Sequence, residues 1–147
     1  GLIDIPMLDE RWIGVAHAPS RLNGEPCATR ACTDLDSAIL YATAPDIFTG
    51  AELAAFDHLA AKTRMRRYGG DCYSYGLLAS GHVDLVVEAG LQPYDYLALA
   101  PVIEGAGGVM TDWAGQPLGF ASKGRVIAAA TPALHRQAMQ VLGAAMA

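Results

Sequence analysis

Apolar and polar positions along this chain follow two rhythms, one of period two and one near 3.6. Leu2, Ile3 and Ile5 precede a turn over residues 6–10, and Arg11-Trp-Ile-Gly-Val-Ala-His17 alternates in places, which predicts a hairpin. Asn23-Gly24 is a strong turn signal and predicts a second reversal across residues 20–29. A boundary near Thr33-Asp34-Leu-Asp-Ser37 leads into a strand over residues 38–43. Thr49-Gly-Ala-Glu52 reads as a capping box, opening a helix with Leu53, Phe56, Leu59 and Ala60 on one face. Residues 64–68 form a short strand candidate, and Asp71 is placed to cap a helix running to about Ala79, closed by Ser80-Gly81. Residues 83–88, Val-Asp-Leu-Val-Val-Glu, are apolar and β-branched, as a buried strand requires. A helix over residues 96–104 follows, with Leu97, Ala100 and Ile103 near one face and Gly105, Gly107 and Gly108 as its stop. Residues 108–112 and 125–130 are further strands. Thr131-Pro132 begins a last helix facing Leu134, Ala138, Val141 and Leu142 inward. This alternation predicts an α/β fold, a layered α/β sandwich with helices on both faces of a sheet.

Composition narrows the class. Hydrophobic residues are 52% and charged residues 17% of 147, which suits a compact domain rather than a disordered chain. The net charge is −5 and the ten cations are scattered apart from Arg64-Met-Arg-Arg67, a poor match for nucleic acid. No apolar run reaches the ~18–20 residues of a membrane span, and no signal-peptide layout stands at the start. Cys27, Cys32 and Cys72 are odd in number and unpaired in spacing, which points to reduced thiols and a cytoplasmic protein. His17, His58, His82 and His135 lack zinc-ligand spacing.

Candidate chemistry concentrates in residues 88–108. Glu88 closes a strand, Pro93 stops the ladder, and Asp95 stands at the head of the next helix. Carboxylates at such strand ends lie where α/β proteins bind ligands. The run Tyr94-Asp95-Tyr-Leu-Ala98, then Glu104-Gly-Ala-Gly-Gly-Val-Met-Thr-Asp112, resembles the C-terminal signature of the inositol monophosphatase family, with Tyr94 in place of the usual Trp. Tyr68-Gly-Gly-Asp-Cys-Tyr73 looks most like its histidinol-phosphate phosphatase branch. The resemblance extends over nearly the whole chain and is densest from residue 67 to residue 112.

The resemblance implies a Mg²⁺-dependent phosphomonoesterase in which metal-activated water attacks phosphorus without a covalent phosphoenzyme. It implies a mixed sheet, with residues 1–33 as the terminal strands of an N-terminal sheet domain and residues 34–147 as the C-terminal α/β domain. The family's other half carries an acidic Glu-Glu pair and an Asp-Pro-x-Asp-Gly-Thr motif. Neither occurs in these residues, so the chain is expected to be the C-terminal half of an enzyme. Asp95 matches a metal ligand, and helix capping is its alternative role. Glu88, seven residues earlier, matches a substrate-contacting glutamate. Asp71 and Gly70 are further substrate-binding candidates, since Gly69-Gly70 lets a ligand approach the backbone. Asp71 and Glu88 together offer opposite charge to the ammonium of histidinol phosphate.

Glu104 and Asp112 are expected to hydrogen-bond backbone around the glycine turn, and Arg66 and Arg67 to be solvated. The expected partner is a small phosphorylated metabolite, histidinol phosphate first and inositol phosphate second; family enzymes are commonly dimers, so a homodimer is expected. A non-catalytic binding or interaction domain is the reading of another class, because the main metal motif is absent from these residues.

Overall fold

The computed structural model describes residues 1–146. Its first part is an antiparallel meander of four strands: β1 (Leu2–Ile5), β2 (Glu10–Ile13), β3 (Arg21–Leu22) and β4 (Glu25–Pro26). The expected hairpin and second reversal are thus consecutive turns of one sheet. Asn23 and Gly24 both take positive φ, 50° and 89°, the twist a two-residue hairpin loop requires.

The second part is a five-stranded mixed sheet. Its strands are β5 (Ile39–Ala42), β6 (Met65–Tyr68), β7 (Leu85–Glu88), β8 (Val109–Thr111) and β9 (Val126–Ala129), in the order β6-β5-β7-β9-β8. The first three are parallel to one another, while β9 runs antiparallel to both β7 and β8. The central strand β7 is buried throughout, as an apolar run covered on both faces must be.

Side chains alternate across β7 and divide the core in two. Leu85 and Val87 pack with Phe56 and Leu59 of α1 (Gly50–Ala60) and with Leu134, Ala138 and Leu142 of α5 (Pro132–Met146). Val86 packs on the opposite face with Tyr75 and Leu78 of α2 (Cys72–Ala79) and with Tyr96, Val102 and Ile103. Ile3 and Trp12 of the first sheet enter that second cluster. A Cβ on Gly76 would stand 3.0 Å from the Trp12 ring, so the missing side chain makes the room that the indole fills. Trp12 Nε1 also donates to Ser80 Oγ at 2.7 Å, fixing the first sheet to the end of α2.

The expected helix over residues 96–104 is two short ones, α3 (Pro93–Tyr96) and α4 (Ala100–Gly105). Pro101 has no N–H to offer Leu97, so the ladder cannot run through. Its buried stripe is Tyr96, Leu99, Val102 and Ile103; Leu97 and Ala100 are only half-buried. Other readings hold. The Thr49–Glu52 capping box forms, and Asp112 Oδ1 accepts from the amides of Ala114 and Gln116 at 2.9 and 2.8 Å. Glu104, by contrast, is exposed. Among the described residues no helix is long and apolar enough to cross a membrane.

His135 on α5 is 5% exposed and lies 2.8 Å from Thr111 Oγ1. That hydroxyl gives its single proton to the Asp112 carbonyl at 2.7 Å, so Nε2 of His135 carries the proton and donates. Burial lowers the imidazole pKa from its ordinary 6.5, and the charge of Arg136 adds to the effect. A folded pKa below the unfolded one makes protonation favour the unfolded chain. Stability from this group is therefore complete above the unfolded pKa and declines as pH falls through the folded one. Urea midpoints are expected to drop between pH 7 and pH 5, and to drop less in His135→Gln. Parallel profiles for the two proteins would show that other groups govern the window.

Candidate functional site

Three parallel strands deliver their C-terminal ends to one edge of the mixed sheet, each with a polar residue at or within three positions of its end. Glu88 ends β7, Thr43 follows β5, and the turn Gly69-Gly70-Asp71 follows β6. With α3, these ends enclose a cleft of about 450 Å³. Asp71, Glu88 and Asp95 all line it, together with Thr43, Cys72 and Tyr75. Its remaining wall is apolar, from Leu2, Ile47, Leu91, Ala98 and Leu99, with Tyr94 at the rim, 81% exposed. Among the described residues lining it, none is Lys, Arg or His. The cleft lining therefore combines three carboxylates with a largely apolar remainder.

Glu88 is 3% exposed. Strand alternation sends it to the same face as Val86, where Tyr75 of α2 waits. Tyr75 Oη donates to Glu88 Oε2 at 2.6 Å, the Thr43 amide donates to Oε1 at 3.1 Å, and the Thr43 hydroxyl donates to Oε1 as well. Burial, reinforced by the negative charge of Glu88, pushes the Tyr75 phenol well above its ordinary pKa and keeps it a donor. Two other carboxylates are comparably buried. Asp84 is paired with Arg30 and Glu52 with Arg125. Among the described residues Glu88 alone of these three has no basic partner, only neutral donors. A buried carboxylate so placed draws a cation toward it.

Asp71 occupies the N-cap position of α2 but does not cap it. Its backbone has φ 43° and ψ −126°, and its side chain makes no bond to the helix. A non-glycine residue held there is strained by about 1–3 kcal/mol, and such strain gathers at ligand sites. The carboxylate turns instead to the cleft, with Oδ1 3.3 Å from Thr43 Oγ1. Gly69 and Gly70 have φ of 90° and 99°, so the turn itself requires glycine. Gly70 stands next to Asp71 but is not among the cleft-lining residues, and a Cβ there would meet Ser74 Oγ at 2.7 Å.

Asp95 is the third residue of α3 rather than its cap. Gln92 occupies the cap, and Asp95 Oδ2 accepts the Gln92 amide at 2.7 Å. That bond orients the exposed carboxylate through Oδ2, and among the described residues Oδ1 has no hydrogen-bond partner. The expected N-cap role thus falls to Gln92, and Asp95 serves the helix start from its third position instead. Thr43 and Tyr75 were not singled out from the sequence. The signal for Thr43 is weak, a lone hydroxyl just past an apolar strand; Tyr75 looks like any core aromatic. The Cys72 thiol also lines the cleft. Burial pushes its pKa up and the charge of Asp71 adds to this, which favours the neutral thiol.

The profile describing the inositol monophosphatase family matches residues 1–147, the full chain. The chain belongs to the inositol monophosphatase family. Over 149 residues it is 48% identical to the bifunctional phosphatase IMPL2, chloroplastic, of Arabidopsis thaliana, covering 97% of this chain and 43% of the relative. A histidinol-phosphatase of Chlorobaculum parvum is 26% identical, covering 97% and 55%. Among solved structures, an inositol monophosphatase from Zymomonas mobilis matches with a TM-score of 0.95 at 47% identity, covering 97% of this chain and 56% of the other. The chain therefore spans about half the length of these relatives.

Proposed function

We propose that this chain forms the substrate-recognition side of a Mg²⁺-dependent phosphomonoesterase whose substrate bears an ammonium group near the phosphorylated alcohol, with histidinol phosphate the best match. In this reading residues 1–33 close a sheet domain and residues 34–147 form the α/β domain. The observation that carries it is Glu88: buried, bound by three neutral donors, lacking a basic partner, and sharing its cleft with Asp71. An ammonium supplies the missing positive charge. A polyol does not. The apolar wall suits the rest of an imidazole-bearing chain better than a ring of hydroxyls. The name of the 26% identical relative, a histidinol-phosphatase, agrees with it, and that of the 48% identical relative, a bifunctional phosphatase, agrees with the phosphatase class.

An acidic cleft repels phosphate unless cations intervene. Asp95 offers one hard oxygen to a Mg²⁺, and Mg²⁺ is typically held by one or two carboxylates plus phosphate and water. Among the described residues no three acidic, His or Cys groups gather into a metal cage, so Asp95 acts here as a single ligand. Bound there, the ion would neutralise phosphoryl oxygens and lower the pKa of the attacking water. Asp95 is held in place for this by the Gln92 amide, while Glu88 and Asp71 orient the alcohol portion.

Inositol phosphate is the rival substrate, favoured by the name of the 47% identical Zymomonas mobilis structure. The test is phosphate release with Mg²⁺ by the full-length protein on both esters. Histidinol phosphate is expected to be preferred in kcat/KM, and Asp71→Asn to cut that preference roughly 10–100-fold, the worth of a charged hydrogen bond. A preference that survives Asp71→Asn intact would sink the role of Asp71.

A further inference from the structure

Thr43 stands where the two substrate-side carboxylates meet. It makes two donations to Glu88 Oε1, one from its amide and one from its hydroxyl, and the same hydroxyl oxygen lies 3.3 Å from Asp71 Oδ1. One hydroxyl has one proton, and the shorter contact is to Glu88. Asp71 Oδ1 thus faces a lone pair, and both oxygens of Asp71 remain for a ligand. Glu88 offers about four acceptor positions across its two oxygens. Three are taken, two on Oε1 and one on Oε2 by Tyr75. The three N–H donors of an ammonium therefore find one place on Glu88 and two on Asp71.

We propose that Thr43 is a positioning residue for specificity: its hydroxyl pins the Glu88 carboxylate at the distance from Asp71 that accepts an ammonium group between them. This rests on the ammonium-bearing substrate proposed above. Thr43 touches neither phosphate nor metal in this reading, so its influence is on recognition rather than on the chemical step. Thr43→Val keeps the shape and the amide donation but removes the hydroxyl. Glu88 then keeps one donor on Oε1 instead of two beside Tyr75 on Oε2, so its Oε1 side is held less firmly, and the Asp71 oxygen meets a methyl.

The test compares two esters on full-length wild-type protein, Thr43→Val and Thr43→Ser: histidinol phosphate, and the same skeleton without its amino group. In Thr43→Val the KM for histidinol phosphate is expected to rise about tenfold with kcat within about twofold, the loss of one hydrogen bond to a charged group. The KM for the deaminated ester stays near the wild-type value, and Thr43→Ser restores the first KM. Should Thr43→Val fold poorly by circular dichroism, Thr43→Ala replaces it, since it removes the hydroxyl without adding a buried methyl. Equal loss on both esters, a loss confined to kcat, or a serine variant no better than valine overturns the role of Thr43. A wild-type protein that does not prefer the ammonium ester defeats the substrate reading itself, and the specificity claim with it. The two failures are told apart by the wild-type ratio, measured first.

Discussion

Asp95→Asn in the full-length protein is expected to raise the Mg²⁺ concentration for half-maximal phosphate release by at least ~100-fold while leaving the fold in place. Loss of an outer-shell partner typically costs 10–100-fold in metal affinity, and loss of the ligand itself costs no less. The substitution is chosen because the two roles of Asp95 respond to it differently. Asparagine retains a carbonyl oxygen able to accept the Gln92 amide, now accepted at 2.7 Å by Asp95 Oδ2, so the start of α3 survives. Asparagine does not carry the negative charge that a hard divalent ion demands. A change in Mg²⁺ binding by calorimetry without a change in melting temperature therefore identifies a ligand. A drop in melting temperature with Mg²⁺ affinity untouched identifies a helix-start residue only, and the metal assignment fails.

The sequence carried most of the fold because its strong signals are local. The Asn23-Gly24 turn, the Thr49–Glu52 box and the unbroken apolar run of β7 each specify their element within a few residues. The break between α3 and α4 went unseen because the apolar spacing continues across it; only the missing N–H of Pro101 interrupts the ladder. The site was legible as carboxylates and illegible as an arrangement. Glu88, Asp71 and Asp95 declare themselves by residue type at element ends. That Asp71 would leave its helix uncapped depends on a backbone φ of 43°, which is a tertiary constraint. That Glu88 would be held by Thr43 and Tyr75, 45 and 13 residues away, depends on strand order and on the face a helix presents. Neither is written in any short window.

Asp84→Ala is expected to be the most destabilising of the acidic substitutions outside the cleft, by about 2–4 kcal/mol. Asp84 is fully buried and receives Arg30 through two bonds of 2.9 and 2.5 Å, while its Oδ2 also accepts the Ile39 amide at 2.8 Å. One side chain thus ties the segment leaving the first sheet to the opening residue of β5. Breaking a buried pair typically costs 3–5 kcal/mol because a charge is stranded. Here the Arg30 side chain is 43% exposed and can turn to water, which lowers the figure, while the Ile39 amide loses its acceptor as well. Contact length alone would mislead. Arg66 and Asp57 approach as closely, 2.6 Å, yet both are exposed at 40% and 55%, and Arg66→Ala should cost under ~1 kcal/mol. Chemical denaturation of the two variants beside wild type decides the matter. Equal midpoints would mean that burial does not set the worth of these pairs. A large loss for Asp84→Ala alone, with the Mg²⁺ response retained at temperatures below its transition, would show that the strand feeding Thr43 into the cleft is anchored from the far end of the sheet.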